Sequence, residues 1–128
     1  MQGAGTLTTD SGVLKNSPYS FRTRFENEPG TNPEELVAAA HAGCFSMALS
    51  LILEQAGIKP ERIETSATVT LAKEAEGFTV TGSHLDVKVR APGADLAAFQ
   101  NAAETAEKNC PISKLLRASI TMNATLEN

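Results

Sequence analysis

The sequence predicts an α+β fold in which an antiparallel sheet packs on one long, buried central helix. Three observations lead there. Residues 32–57 carry no formal charge between Glu35 and Glu54 and are otherwise small or apolar. Alternating strand patterns stand in runs before and after that stretch, not in strict strand–helix succession. A chain of 128 residues fits a single domain, 1–128, that buries about two-thirds of its unfolded surface.

The helix has start and stop signals. Asn32 suits the cap, Pro33 the first helical position, and Glu35 completes a capping-box pattern three residues on. Gly57 ends it by tolerating a left-handed conformation. At about 24 residues it rises about 36 Å, enough to cross a bilayer. Its many Ala, Ser, Gly and His residues and its acidic flanks oppose a membrane span, so a core helix with almost every side buried is expected. One small domain cannot cover so apolar a rod. A homodimer packing two rods between two sheets is therefore the expected architecture.

The remaining elements follow in chain order. Residues 4–9 read as a strand and Asp10-Ser11-Gly12 as a turn, with Asn16-Ser17-Pro18 a second turn. In 19–25 the alternation places Tyr19, Phe21, Thr23 and Phe25 on one strand face and Ser20, Arg22 and Arg24 on the other. Glu26-Asn27-Glu28-Pro29-Gly30 is a loop leading to the helix cap. Ile63 to Leu71 alternates as a strand, and Lys73-Glu74-Ala75-Glu76-Gly77 is a hairpin loop. Beyond it the apolar phase slips near Gly82-Ser83, which predicts a β-bulge. Asp95 caps a helix whose Leu96, Phe99, Ala103 and Ala106 recur at helical spacing and which stops near Asn109. A short helix over 110–117 with Pro111 at its first position follows. Ala118, Ile120, Met122, Ala124 and Leu126 then define the last strand.

Composition excludes several function classes. The formal net charge of −4 is spread without runs, which argues against nucleic acid or an anionic membrane as partner. Residues 1–5 lack a basic start and an apolar run, so no signal peptide is expected and the cytoplasm is the default. The 2 cysteines are too few for a secreted disulfide scaffold. No phosphate-binding glycine pattern is present.

Chemistry centres on those cysteines. Cys44, near the middle of the rod, is a small buried hydrophobe or a reactive thiol. A reactive thiol needs ionisation, and moving its pKa from about 8.5 to about 6 takes roughly 3.4 kcal/mol of preference for the anion. The helix dipole fades beyond the first turn and Cys44 lies about three turns in, so a cation is needed. Arg22 and Arg24 are the candidates, against the alternative of a solvated strand face. Cys110 precedes Pro111 at a helix start, where backbone N–H groups favour a thiolate, so the residues themselves do not rank the two cysteines. Glu34 lies ten positions before Cys44, about 15 Å of helical rise, so the two share a site only through a helix break, a partner subunit or a long arginine. His41 stands one turn before Cys44. It is read as a polar side chain satisfied in the core, with a Cys–His pair, as in a thiol hydrolase, the alternative. A zinc site from His41, Cys44, His84 and Cys110 lacks standard ligand spacing.

Thr31-Asn32-Pro33-Glu34-Glu35-Leu36, Ala39-Ala40-His41-Ala42-Gly43-Cys44-Phe45-Ser46-Met47-Ala48-Leu49 and Cys110-Pro111-Ile112-Ser113 closely resemble the osmotically inducible protein C (OsmC) family. The organic hydroperoxide resistance proteins are its sister branch. Tyr19-Ser20-Phe21-Arg22-Thr23-Arg24-Phe25 matches the OsmC branch better, and the resemblance covers essentially the whole chain. It implies a thiol peroxidase acting on hydroperoxides, organic ones preferred, built as an intertwined homodimer with sites at the subunit interface.

By that resemblance Cys44 is the peroxidatic and Cys110 the resolving cysteine. Arg24 is the activating arginine and Glu34 the carboxylate that holds it, with Arg22 the fallback if the register slips by two. No cofactor or metal is implied. The implied reductant is an external dithiol, lipoyl-type or thioredoxin-like. Phe25, Phe45, Met47 and Phe99 are candidates for an apolar substrate environment, or plain core. The chain starts later than family members usually do, which implies either a shortened N-terminal strand with a weaker dimer or a true start that lies upstream. Gly43 stands where alanine is common, which costs up to about 1 kcal/mol of helix propensity but lets another backbone approach Cys44. A non-enzymatic redox sensor or small-ligand binder on the same fold is the competing reading.

Overall fold

The computed structural model describes residues 3–25 and 29–127. Their elements run β1 (Ala4–Leu7), β2 (Ser17–Ser20), α1 (Phe21–Phe25), α2 (Pro33–Gln55), β3 (Arg62–Glu74), β4 (Gly77–Arg90), α3 (Leu96–Asn109), α4 (Pro111–Leu115) and β5 (Ser119–Glu127). The α+β class is as expected. The chain divides into two compact units, Met1–Val37 and Ala38–Asn128.

In the first unit, β1 pairs antiparallel with β2, Ala4 opposite Ser20 and Leu7 opposite Ser17. The strand expected over 19–25 is corrected: after Ser20 the chain turns into α1. The cause is a reciprocal cap. Ser20 Oγ accepts from the Thr23 N–H at 3.1 Å, and Thr23 Oγ1 accepts from the Ser20 N–H at 3.0 Å. These bonds satisfy donors at a helix start and outweigh the apolar alternation. Arg22 and Arg24 therefore do not share a strand face. Of the expected 26–30 loop, Glu26, Asn27 and Glu28 lie outside the described residues, as does the side chain of Phe25. The first turn of α2 is capped as expected, Asn32 Oδ1 accepting from the Glu35 N–H at 2.8 Å. The Glu35 carboxylate turns instead to the Thr31 hydroxyl, at 2.5 Å.

In the second unit β3, β4 and β5 form one sheet in that order. β3 and β4 pair antiparallel, and the register slips between Thr70 and Leu71: Thr70 faces Gly82, Leu71 faces Val80, and Thr81 is the extra residue. The bulge thus falls one residue before the Gly82-Ser83 step where the phase break was expected. β5 runs parallel to β4, so the wholly antiparallel sheet is corrected to a mixed one. The connection through α3 and α4 carries the chain back to the end of the sheet where β4 began, and a parallel neighbour requires such a crossover.

The core of this unit joins Phe45, Leu49 and Leu53 of α2 with Leu85, Val87 and Val89 of β4 and Phe99, Ala102, Ala103 and Ala106 of α3. Asp95 caps α3 by accepting from the Ala98 N–H at 2.9 Å, as expected. Leu96, expected on its apolar face, is exposed. α2 ends as expected. Gly57 adopts φ +78°, and the Ile58 N–H donates to the Leu53 carbonyl at 2.9 Å, which seats Ile58 in the core.

α2 is long and apolar enough to cross a membrane by length and composition. Here one stripe of it, His41, Phe45, Leu49 and Leu53, is buried in the core. The expected burial of almost every side is not met within one chain, because Met47 is 76% and Leu51 56% exposed.

Candidate active site

α2 places Cys44 beside its buried stripe, half-buried, on a groove of about 860 Å³. The groove is lined by Gly43, Met47, Ala48, Leu51 and Ile52 of the helix together with Pro111 and Ile112. No formal charge stands in its lining. Of the expected apolar neighbours whose side chains are described, Met47 lines it, while Phe45 and Phe99 are fully buried core residues.

Cys110 sits at the junction of α3 and α4, fully buried, its N–H bonded to the Ala106 carbonyl at 2.9 Å. Pro111 follows at the first position of α4, as expected. This junction turns Cys110 toward Cys44, whose thiol hydrogen-bonds to the Cys110 sulfur. Both cysteines are free thiols. The Cys44 thiol is pushed above the usual thiol range, first by burial. The backbone N–H of Ile112, which donates to its sulfur, draws it down. The hydrogen bond to Cys110 and the negative charge Cys110 takes on when ionised draw it up again. The groove therefore holds a thiol that needs an added positive charge to ionise readily.

In the first unit Arg24 Nε lies 2.8 Å from Glu34 Oε1, with 26% and 13% of the side chains exposed. The pairing links α1 to the first turn of α2 and depends on the turn into α1 at Ser20. Arg22 is exposed on the same short helix.

His41 is fully buried one turn before Cys44. Its Nδ1 lies 2.7 Å from Ser83 Oγ and its Nε2 2.8 Å from Ser113 Oγ. Burial holds its pKa below the ordinary histidine value, so the ring is neutral. A neutral imidazole donates from one nitrogen and accepts at the other, and two hydroxyls satisfy both. With both nitrogens engaged His41 is no base for Cys44, which removes the geometry a Cys–His hydrolase needs. Ser83, Ser113 and the Ile112 N–H were absent from the sequence-based site. Long-range pairing brings the serines in, and the backbone donor follows from Pro111 starting a helix.

The zinc set weighed above is not assembled. Ser83 reaches His41, so its neighbour His84 points to the other face of β4, where it bonds Thr121 Oγ1 at 2.6 Å. Among the described residues no group of three or more His, Cys, Asp or Glu converges on a point.

Comparison with known proteins shows the family to which the chain belongs. The family model described as OsmC-like protein matches residues 25–125. The peroxiredoxin OsmC of Escherichia coli is 50% identical over 127 residues, covering 99% of this chain and 89% of that one. The organic hydroperoxide resistance protein OhrB of Bacillus subtilis is 32% identical over 125 residues, covering 97% of this chain and 90% of its own length. The crystal structure of OhrB superposes with a TM-score of 0.68 over 94% of this chain and 87% of that one, at 28% identity. An OsmC-like protein of unknown function from Vibrio cholerae shares the fold, with a TM-score of 0.79 at 21% identity over 95% of this chain and 84% of that one. A family match over most of its length, and so high an identity along nearly all of it, establish that this chain belongs to the OsmC-like protein family.

Proposed function

We propose that this chain is a thiol peroxidase that reduces hydroperoxides, organic ones preferred. The observation that carries the reading is the contact between the thiols of Cys44 and Cys110, with Cys44 lining an apolar groove. The names of its relatives, a peroxiredoxin and an organic hydroperoxide resistance protein, support it.

Cys44 is the peroxidatic residue. Its thiolate attacks one oxygen of the hydroperoxide, the O–O bond breaks, and the alkoxide takes a proton and leaves as alcohol. Cys44 is left as sulfenic acid. The Cys110 thiol then attacks that sulfur, water departs, and a disulfide forms. An external dithiol, lipoyl-type or thioredoxin-like, restores both thiols through a mixed disulfide and is itself oxidised. Arg24 supplies the positive charge the thiolate needs, and Glu34 holds it. The Ile112 N–H adds a hydrogen bond to the anionic sulfur. Neither metal nor cofactor takes part. The working form is a homodimer of single OsmC-like domains, 1–128, acting in the cytoplasm.

The test is consumption of an organic hydroperoxide with a lipoyl dithiol present, comparing wild type with Cys44→Ser and Cys110→Ser. Continuous turnover in the wild type is expected. Cys44→Ser abolishes it, and Cys110→Ser impairs it while sulfenic acid accumulates on Cys44. One equivalent consumed by the wild type, with no turnover under any dithiol, would make the protein a sensor instead of an enzyme.

A further inference from the structure

α4 is a helix of 5 residues with no fully buried residue of its own. A helix that short does not hold itself in water, so its position depends on what grips it. Two contacts tie it to α2: the Ile112 N–H on the Cys44 sulfur, and the Ser113 hydroxyl on His41 Nε2 at 2.8 Å. The geometry is that of a two-point clamp. His41 and Cys44 stand one turn apart on one face of α2, and their partners Ile112 and Ser113 are adjacent on α4. The other nitrogen of His41 is fixed by Ser83 of β4 at 2.7 Å, so the clamp is anchored in the sheet.

We infer that His41 is a positioning residue, which through Ser113 fixes α4 so that the Ile112 N–H stays on the Cys44 sulfur and Cys110 stays beside it. The inference rests on the peroxidase reading for its meaning but not for its geometry. A buried histidine serving the core alone needs no partner on α4. This one spends a ring nitrogen on the helix that carries both groups in contact with Cys44. Both ring nitrogens are held by hydroxyls, and burial keeps the ring neutral. The clamp therefore holds by hydrogen bonds between neutral groups and keeps its form at neutral pH.

The test follows the alkylation rate of Cys44 against pH in a Cys110→Ser background, where Cys44 is the single thiol. Ser113→Ala is compared with Ser46→Ala, which removes another α2 contact, the hydroxyl that bonds Thr65 Oγ1 at 2.7 Å, without touching α4. Ser113→Ala is expected to raise the midpoint by about one unit and slow alkylation at neutral pH about tenfold, by loosening the Ile112 hydrogen bond. Ser113→Thr restores the profile, and Ser46→Ala leaves it in place even where it lowers Tm. His41→Gln shifts the midpoint in the same direction as Ser113→Ala. In the two-cysteine chain, Ser113→Ala also slows disulfide closure after one equivalent of hydroperoxide.

An unchanged profile in Ser113→Ala, or an equal shift in Ser46→Ala, overturns the inference. Alkylation requires no peroxidase turnover. A wild type inert toward hydroperoxides therefore counts against the peroxidase reading alone.

Discussion

Nε of Arg24 lies 2.8 Å from Oε1 of Glu34, while Oε2 of the same carboxylate is buried without a hydrogen-bond partner. Arg24 Nε is likewise buried without a hydrogen-bond partner among the described residues, so the two groups meet as charges in close approach and not as a two-bond fork. Glu34→Gln keeps the shape and removes the charge. It is expected to destabilise the protein by about 1–3 kcal/mol and to lower peroxidase kcat/KM by about tenfold or more. Arg24→Lys keeps the charge but not the planar donor geometry, and is expected to lose more activity than Glu34→Gln. Steady-state kinetics beside denaturant melts check both. Unchanged kcat/KM in Arg24→Lys would remove Arg24 from the proposed mechanism.

The Cys44 thiol is raised by burial, lowered by the Ile112 N–H, and raised again by Cys110. The signs give a direct expectation. Cys110→Ser leaves a hydroxyl in place but takes away the negative charge that Cys110 carries when ionised, so it lowers the alkylation midpoint of Cys44. Arg24→Met, on the proposed mechanism, raises it above the ordinary thiol value of about 8.5. Alkylation rates from pH 6 to 10 read both variants. A rise in Cys110→Ser would contradict the contact between the two thiols.

What the sequence made legible follows from how local each signal is. Asn32, Gly57, Asp95 and Pro111 act within one turn, and the elements they begin or end stand where they were expected. The reciprocal Ser20–Thr23 cap was equally local, but the alternation of Tyr19, Phe21 and Phe25 outweighed it and a strand was expected. The partners of His41 were illegible because Ser83 and Ser113 lie 42 and 72 positions away. The parallel placement of β5 was hidden for the same reason: alternation marks a strand without saying which neighbour it takes or in which direction.

Burial holds the His41 pKa below its ordinary value, so the sign of its linkage to stability is fixed. Above about pH 6.5 the ring is neutral in both folded and unfolded chains and its contribution is fully present. As pH falls below that value the unfolded chain takes up the proton first. Stability is then lost through the window down to the folded pKa, at no more than about 1.4 kcal/mol per pH unit. Denaturant melts between pH 7.5 and 5.5 are expected to show this slope in the wild type and a flatter one in His41→Gln. Equal slopes would mean that the buried ring takes up its proton as readily as an unfolded one.

Gly43, Met47 and Leu51 recur every fourth residue along the face of α2 beside its buried stripe, and Met47 and Leu51 are 76% and 56% exposed. Each of the two large side chains stands to gain about 1.5–3 kcal/mol from full burial, so a second copy covering this stripe is the occupant that the proposed homodimer supplies. Met47→Glu places a charge in that contact and is expected to convert the dimer to monomer in sedimentation velocity, with the fold intact by circular dichroism. Gly43 distinguishes the two states independently. In one chain nothing lies within 4 Å of a Cβ added there, so Gly43→Ala in a monomer gains up to about 1 kcal/mol of helix propensity. In a dimer whose partner backbone closes on that position, the same methyl meets atoms and the gain becomes a loss. A wild type that sediments as a monomer at tens of micromolar, and that Gly43→Ala stabilises, would leave the stripe as open surface and withdraw the dimer.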